Sequence, residues 1–201
     1  MTFFVSVRTG QLLGTTAPGP THLKAIAGPG EFLLGYQGYG AFRTTHHDAT
    51  GAAINEWPTH AQMLIDTDGA ISGPESENIL PSRSHFIRLR SDGAVARGPA
   101  LTEYRTTYPA LDRDGTAVFW RDGVLRAVDA DLHMRELSTI GRGERLITSR
   151  LLLLRNGLVV FTLNGKLIIH REPGLGPLNE GVWPCGEGGL RGNPVAFLYD
   201  S

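Results

Sequence analysis

Asp114-Gly115-Thr-Ala-Val-Phe-Trp-Arg-Asp122-Gly123-Val-Leu-Arg-Ala-Val128 and Asn156-Gly157-Leu-Val-Val-Phe-Thr-Leu-Asn164-Gly165-Lys-Leu-Ile-Ile-His170 are two versions of one pattern. Each opens on an Asp-Gly or Asn-Gly pair, runs through six mostly apolar residues, meets a second such pair and continues as another apolar run. The two copies are 42 residues apart and align without a gap. Asp, Asn and Gly tolerate the positive φ of a tight turn, so these pairs between apolar runs predict β-hairpins.

The same phrase occurs upstream. Asp66-Thr-Asp68-Gly69 matches Asp112-Arg-Asp114-Gly115 at an offset of 46 residues, and Pro29-Gly30 before Phe32-Leu33-Leu34 stands 39 residues ahead of Gly69. Ser91-Asp92-Gly93 marks a further hairpin after the strand Phe86-Ile-Arg-Leu. A period of roughly 40–46 residues of short strands and turns is that of a propeller blade with four antiparallel strands. No window sustains helical periodicity for three turns without Gly or Pro; Ala130–Leu137 comes nearest and fits the outer strand of a blade equally well. Leu167-Ile168-Ile169 is apolar on both faces, as expected of a strand sandwiched between neighbouring sheets.

Turn marks near residues 30, 69, 115 and 157 define four units. Phe3-Phe-Val-Ser-Val, Leu12-Leu13 and Val195-Ala-Phe-Leu-Tyr199 read as further strands at the two termini. The expected architecture is therefore a single all-β domain over residues 1–201, a small β-propeller of five blades. Strands from both termini close the ring and remove open sheet edges. Four blades with frayed ends is the alternative.

Composition limits the function classes. Nineteen basic residues against twenty acidic ones leave a net charge of −1, so no bulk field draws the chain to nucleic acid or an anionic membrane. The single Cys185 excludes an intrachain disulfide framework. Met1–Val7 lacks a preceding basic region and is cut short by Arg8, and no stretch reaches the roughly 20 apolar residues of a membrane span. The reading is a soluble cytoplasmic protein, monomer or homodimer.

Leu111-Asp-Arg-Asp-Gly-Thr-Ala-Val-Phe-Trp-Arg-Asp-Gly-Val-Leu-Arg-Ala-Val-Asp-Ala-Asp-Leu132 resembles repeats of the quinoprotein-like (pyrroloquinoline-quinone-like) β-propeller superfamily. Ser6-Val-Arg-Thr-Gly-Gln11 is similar to the part of that repeat ending in Thr-Gly-Lys, and Trp183-Pro184 followed by Arg191-Gly-Asn-Pro194 to a phrase common in such chains. Gly14 and Leu137 stand where the repeat closes on Trp, and the chain is much shorter than an eight-bladed member. The resemblance implies the fold and not quinone binding, because function sits in sites. No cofactor is expected.

Catalytic and metal signatures are missing. Among seven histidines none shows His-x-x-x-His spacing on a helix, and His46-His47 point to opposite faces of a strand. Asp66-x-Asp68-Gly69 and Asp112-x-Asp114-Gly115 open like calcium loops but lack the later ligands, and side-chain-capped turns explain them. No metal site is assigned. Gly-x-Ser-x-Gly, His-Glu-x-x-His and a phosphate-binding loop are absent, and Cys185 between Pro184 and Gly186 reads as an inert thiol.

Long polar connections are concentrated between Gly51 and Arg105, whereas later units have two-residue hairpins. Loops at the mouth of a central channel are where a propeller binds ligands. The candidate ligand-binding residues are Trp57, His60, Glu75, Glu77, Asn78, Arg83 and Tyr104, with inter-blade packing as the competing role for each. Val118, Phe119, Val160, Phe161, Ile168 and Ile169 are expected to be core. The function expected is a module binding a small molecule or a protein. An enzyme of specialised metabolism or carbohydrate processing and a structural subunit of a larger assembly are the alternatives.

Overall fold

The computed structural model describes residues 3–5, 9–15, 21–38, 41–75, 84–102, 106–141 and 150–186. Strands β1 (Phe3–Val5) and β2 (Leu12–Thr15) form an antiparallel pair. Sheet I contains β3 (Thr21–Gly28), β4 (Glu31–Gly38), β5 (Ala41–His47) and β6 (Ala53–Trp57). Sheet II contains β7 (Leu64–Ile65), β8 (Ile71–Pro74), β9 (Ser84–Leu89) and β10 (Val95–Leu101). Sheet III contains β11 (Ala110–Leu111), β12 (Ala117–Arg121), β13 (Val124–Val128) and β14 (Met134–Thr139). Sheet IV contains β15 (Leu152–Leu154), β16 (Leu158–Leu163) and β17 (Lys166–Arg171). Each repeat sheet is an antiparallel meander in chain order. Among the described residues there is no α-helix, only a 3-10 turn at Arg155–Gly157.

The repeat arithmetic holds strand by strand. The 42-residue offset carries β11, β12 and β13 onto β15, β16 and β17, and the 46-residue offset carries β7 and β8 onto β11 and β12. Asp122-Gly123 has φ of 49° and 78° and Asn164-Gly165 has 50° and 75°, so both pairs make tight two-residue hairpins with positive φ at both positions. They pin the registers Arg121↔Val124 and Leu163↔Lys166.

Three apolar layers hold the sheets together. Leu33 and Trp57 of sheet I pack with Ile71, Ile87 and Leu89 of sheet II. Phe86 and Leu101 pack with Leu111, Phe119 and Val128 of sheet III, where the Phe86 and Phe119 rings stack at 5.8 Å. Val118, Trp120, Leu125 and Ala127 pack with Leu153, Val159, Phe161 and Leu163 of sheet IV. Sheets II and III thus each turn one face to the preceding sheet and the other to the following one.

Two expectations are corrected here. Ile169 and Leu167 are not core: they are 62% and 63% exposed, because the described residues place no sheet beyond sheet IV to cover that side of β17. Nor is the centre open. Residues 176–186 cross between the first strands of sheets II and III, where the expected channel would lie. Trp183 O accepts the Ile65 N–H at 2.9 Å, Pro184 O accepts the Leu111 N–H at 2.7 Å, and Asn179 N–H bonds Leu111 O at 2.9 Å. Trp183 is 6% exposed and Cys185 is fully buried. The offset puts the counterpart of β14 at residues 176–181, but Pro177 has no N–H for a ladder, and the chain turns inward instead. The proposed C-terminal strand Val195–Tyr199 lies outside the described residues.

Asp-rich turns punctuate one end of the molecule. At residues 48–51, 66–69 and 112–115 the leading aspartate O accepts the N–H of the fourth residue, a glycine with φ of 88°, 79° and 82°. The Thr50 hydroxyl, reinforced by backbone N–H groups of Thr50, Ala52 and Gly51, holds the Asp48 carboxyl below 3.8. The His133 N–H, helped by the Asp131 N–H and the His133 ring, does the same for Asp129. A lowered native pKa contributes stability that is complete above the ordinary value and is lost as pH falls through the native one. Carboxyl NMR titration is expected to give midpoints for both below 3.8; midpoints at or above that value would show that the turns do not hold the charge.

Candidate functional site

In a four-stranded meander, the second-to-third connection and the link to the next sheet emerge at one end, and the other two turns emerge at the opposite end. The first end carries residues 58–63, Glu75 and Ser84, residues 102 and 106–109 and the tight Asp122-Gly123 turn. The second end carries the capped Asp turns, whose carboxylates are taken up by backbone N–H groups: Asp68 Oδ1 accepts from Ala70 at 2.9 Å and Asp92 Oδ1 from Ala94 at 2.9 Å. The end with long connections is the one with unassigned chemistry.

Its centre is Glu75, which follows β8 and has a side chain 12% exposed. Oε1 accepts the Thr59 hydroxyl at 2.7 Å, and Oε2 accepts the His85 N–H at 2.8 Å. The His85 ring Nδ1 is 3.5 Å from Oε2, and an Arg97 guanidinium nitrogen is 3.7 Å from Oε1. His85 and Arg97 side chains are 27% and 46% exposed, so the carboxylate is sunk while the imidazole and guanidinium beside it are partly exposed. His60 is 3% exposed, with its ring 6.3 Å from Phe42.

Beneath this cluster is Arg121, fully buried at the end of β12. Its Nε donates to Thr102 O at 2.9 Å, one terminal nitrogen donates to Glu75 O at 3.1 Å and the other to Ser84 Oγ at 2.6 Å. One guanidinium therefore fixes both ends of the Glu75–Ser84 connection and the exit from β10. Planar, rigid donors suit Arg to such a multiple bridge.

Of the sequence-derived candidates, the structure brings Glu75 and His60 to this end. Trp57 is also nearby, but it is 1% exposed in the layer between sheets I and II, with its indole N–H on Arg90 O at 2.8 Å. Glu77, Asn78, Arg83 and Tyr104 lie outside the described residues. Thr59, His85, Arg97 and Arg121 were not singled out from sequence. For Arg121 a signal existed: the offsets of 46 and 42 make Glu75, just past β8, equivalent to Arg121 and Leu163, the last residues of β12 and β16. Two charged residues at a place that is apolar in sheet IV mark a departure from the repeat, and the Arg121 guanidinium bonds the Glu75 backbone O. Among the described residues no three His, Cys, Asp or Glu side chains group as a metal site, and no helix is long and apolar enough to cross a membrane.

No protein-family model matches the sequence, and no curated protein does. Solved structures do match in shape. A virginiamycin B lyase from Staphylococcus aureus superposes with a TM-score of 0.50 at 12% identity, over 77% of this chain and 56% of that one. A streptogramin B lyase gives 0.53 at 14% identity, over 80% and 58%. Both are β-propellers. The fold of this chain is a β-propeller. Sheets I–IV are its blades, and the chain spans a little over half the length of these two propellers.

Proposed function

We propose that this propeller is a binding module whose ligand, a small molecule or a protein segment, is held at the end bearing the long connections, around Glu75, His85 and Arg97. The observation that carries this reading is the sunken carboxylate with a partly exposed imidazole and guanidinium beside it. A fixed acceptor flanked by solvent-facing donors is what a polar ligand group needs for orientation. The opposite end has its carboxylates engaged in turn caps, and the centre is filled by the chain. The net charge of −1 supports the expectation of no affinity for nucleic acid or an anionic membrane; a cytoplasmic protein without cofactor, monomer or homodimer, completes the reading.

A screen of sugars, nucleotides, quinones and divalent metals by thermal shift tests the reading, since a ligand binding only the native state raises Tm by mass action. For any ligand found, Glu75→Gln and Arg97→Ala are each expected to weaken binding about tenfold or more, the worth of one charged hydrogen bond. Asp68→Ala at the other end is expected to leave affinity unchanged. Equal affinity in all three variants would remove the site from this end.

A second reading is enzymatic. It is favoured by a sunken carboxylate with an imidazole nitrogen 3.5 Å away, and the two propellers matched in shape are named as lyases. Turnover lost in His85→Gln with binding retained would select it. A third reading, a structural subunit docking a partner chain, is selected by co-purification of a protein with no response to small molecules. For the architecture we propose the five-bladed form, in which β1, β2 and the C-terminal segment build the fifth sheet. The β1–β2 pair supports this, since its Gly14 has no room for a Cβ against Thr50 O of blade I.

A further inference from the structure

Blade IV has one covered face and one bare face. Leu153, Val159, Phe161 and Leu163 are buried against blade III. The alternation of the strands puts Leu152, Leu154, Leu158, Val160, Leu167 and Ile169 on the other side, where Leu154, Leu167 and Ile169 are 39%, 63% and 62% exposed. The 42-residue offset converts Leu152, Val160, Leu167 and Ile169 into Ala110, Val118, Leu125 and Ala127 of blade III, which are each no more than 1% exposed because blade IV covers them. The bare face is thus a blade–blade interface by position and by composition.

We infer that this face is the docking surface of the chain's own segment Val195-Ala-Phe-Leu-Tyr199. The inference rests on the five-bladed reading and names the surface that the closing segment occupies. Three features favour this occupant. Val195, Phe197 and Tyr199 fall on one side of an extended segment, matching the aliphatic and aromatic residues by which blade IV itself covers blade III. Exposed Lys166 and Arg171 flank the bare face, and the segment brings Asp200 and no basic residue, whereas a second copy seated face to face brings like charges together. Eight residues, 187–194, link it to Gly186, whose N–H bonds Pro109 O at 3.0 Å. Fully extended they reach about 26 Å, more than the roughly 20 Å of two sheet spacings that separate blade III from a segment on the far side of blade IV.

The test is the reaction rate of a cysteine at Ile169→Cys with a maleimide, with the wild-type chain and its buried Cys185 as the blank. In the full chain the rate is expected to be roughly a hundredfold below that of an unprotected thiol, and to recover in a chain ending at Pro194. Full reactivity in the complete chain overturns both the inference and the five-bladed reading. Protection that survives removal of residues 195–201, or that is lost only when residues 1–13 are removed, overturns the inference and leaves ring closure standing. If the shortened chain does not fold, the pair Ile169→Cys and Phe197→Cys decides in the full chain: an intramolecular disulfide under mild oxidation supports the inference, and a reduced or intermolecular product overturns it.

Discussion

Arg121→Met is expected to cost about 3–5 kcal/mol of stability, the summed cost of several buried acceptors left without a donor. The methionine fills much of the volume but leaves Thr102 O, Glu75 O and Ser84 Oγ without the donors that now reach them at 2.9, 3.1 and 2.6 Å. At roughly 2–4 °C per kcal/mol for a chain of this size, Tm falls by some 6–20 °C. Arg121→Lys is expected to recover only part of this, because an ammonium cannot span three acceptors in a fork. The variant also bears on the site: the guanidinium holds the connection that carries Glu75, so amide exchange at Glu75 and His85 speeds up. A calorimetric Tm within 2 °C of wild type, about the effect of a single kcal/mol, would show that blades II and III do not depend on this bridge.

The second large effect is expected at Asp112. Its carboxylate is 1% exposed and accepts three N–H groups, Asp114 at 3.0 Å and Thr116 at 2.8 Å on Oδ1, and Gly176 at 3.0 Å on Oδ2. Asp112→Asn keeps the shape and turns one acceptor into a donor, so in either amide orientation N–H faces N–H. The expected loss is about 2–4 kcal/mol, the cost of buried donors left unmet. It falls on the central crossing segment, because Asn179 Nδ2 bridges Asp66 Oδ1 at 2.8 Å and Asp112 O at 3.2 Å. Hydrogen exchange is expected to rise at Gly176 and Asn179 before it rises in β12 and β13. Unchanged exchange there, with a lowered Tm, would mean that the segment is held by its apolar contacts through Trp183 and Leu175 instead.

The blades were legible because their turns are chemically constrained. Asp122-Gly123 and Asn164-Gly165 specify positive φ by residue type, and the apolar run between fixed turns then has one register that buries Val118 or Phe119 correctly. The central crossing was not legible. Pro177 argues locally against an outer strand, but where the chain goes instead depends on meeting Ile65 and Leu111, more than sixty residues away. Ile169 was misassigned for a related reason: an apolar strand reads as sandwiched whatever stands beside it, and the neighbour is a tertiary fact.

At the candidate site, the long polar connections read from sequence and the structure agree on where Glu75 and His60 lie, at the end where those connections emerge. The sequence could not select His85, Arg97 or Thr59 from among residues of the same type. The places of His85 and Arg97 follow from β9 and β10 pairing, with Ala100 opposite His85, which is set by the bulge between Arg97 and Ala100; that of Thr59 follows from its bond to Glu75. Trp57 shows the converse: an aromatic near long loops, but buried where sheet I meets sheet II.

The most direct test of the site is chemical-shift mapping of the labelled full chain against the compounds that raise its Tm. Perturbations are expected at Thr59, His60, Glu75, His85, Arg97 and the backbone of residues 102–108. Perturbations confined to the Asp-capped turns at residues 48–51, 66–69 and 112–115, or to residues 150–186, would contradict it.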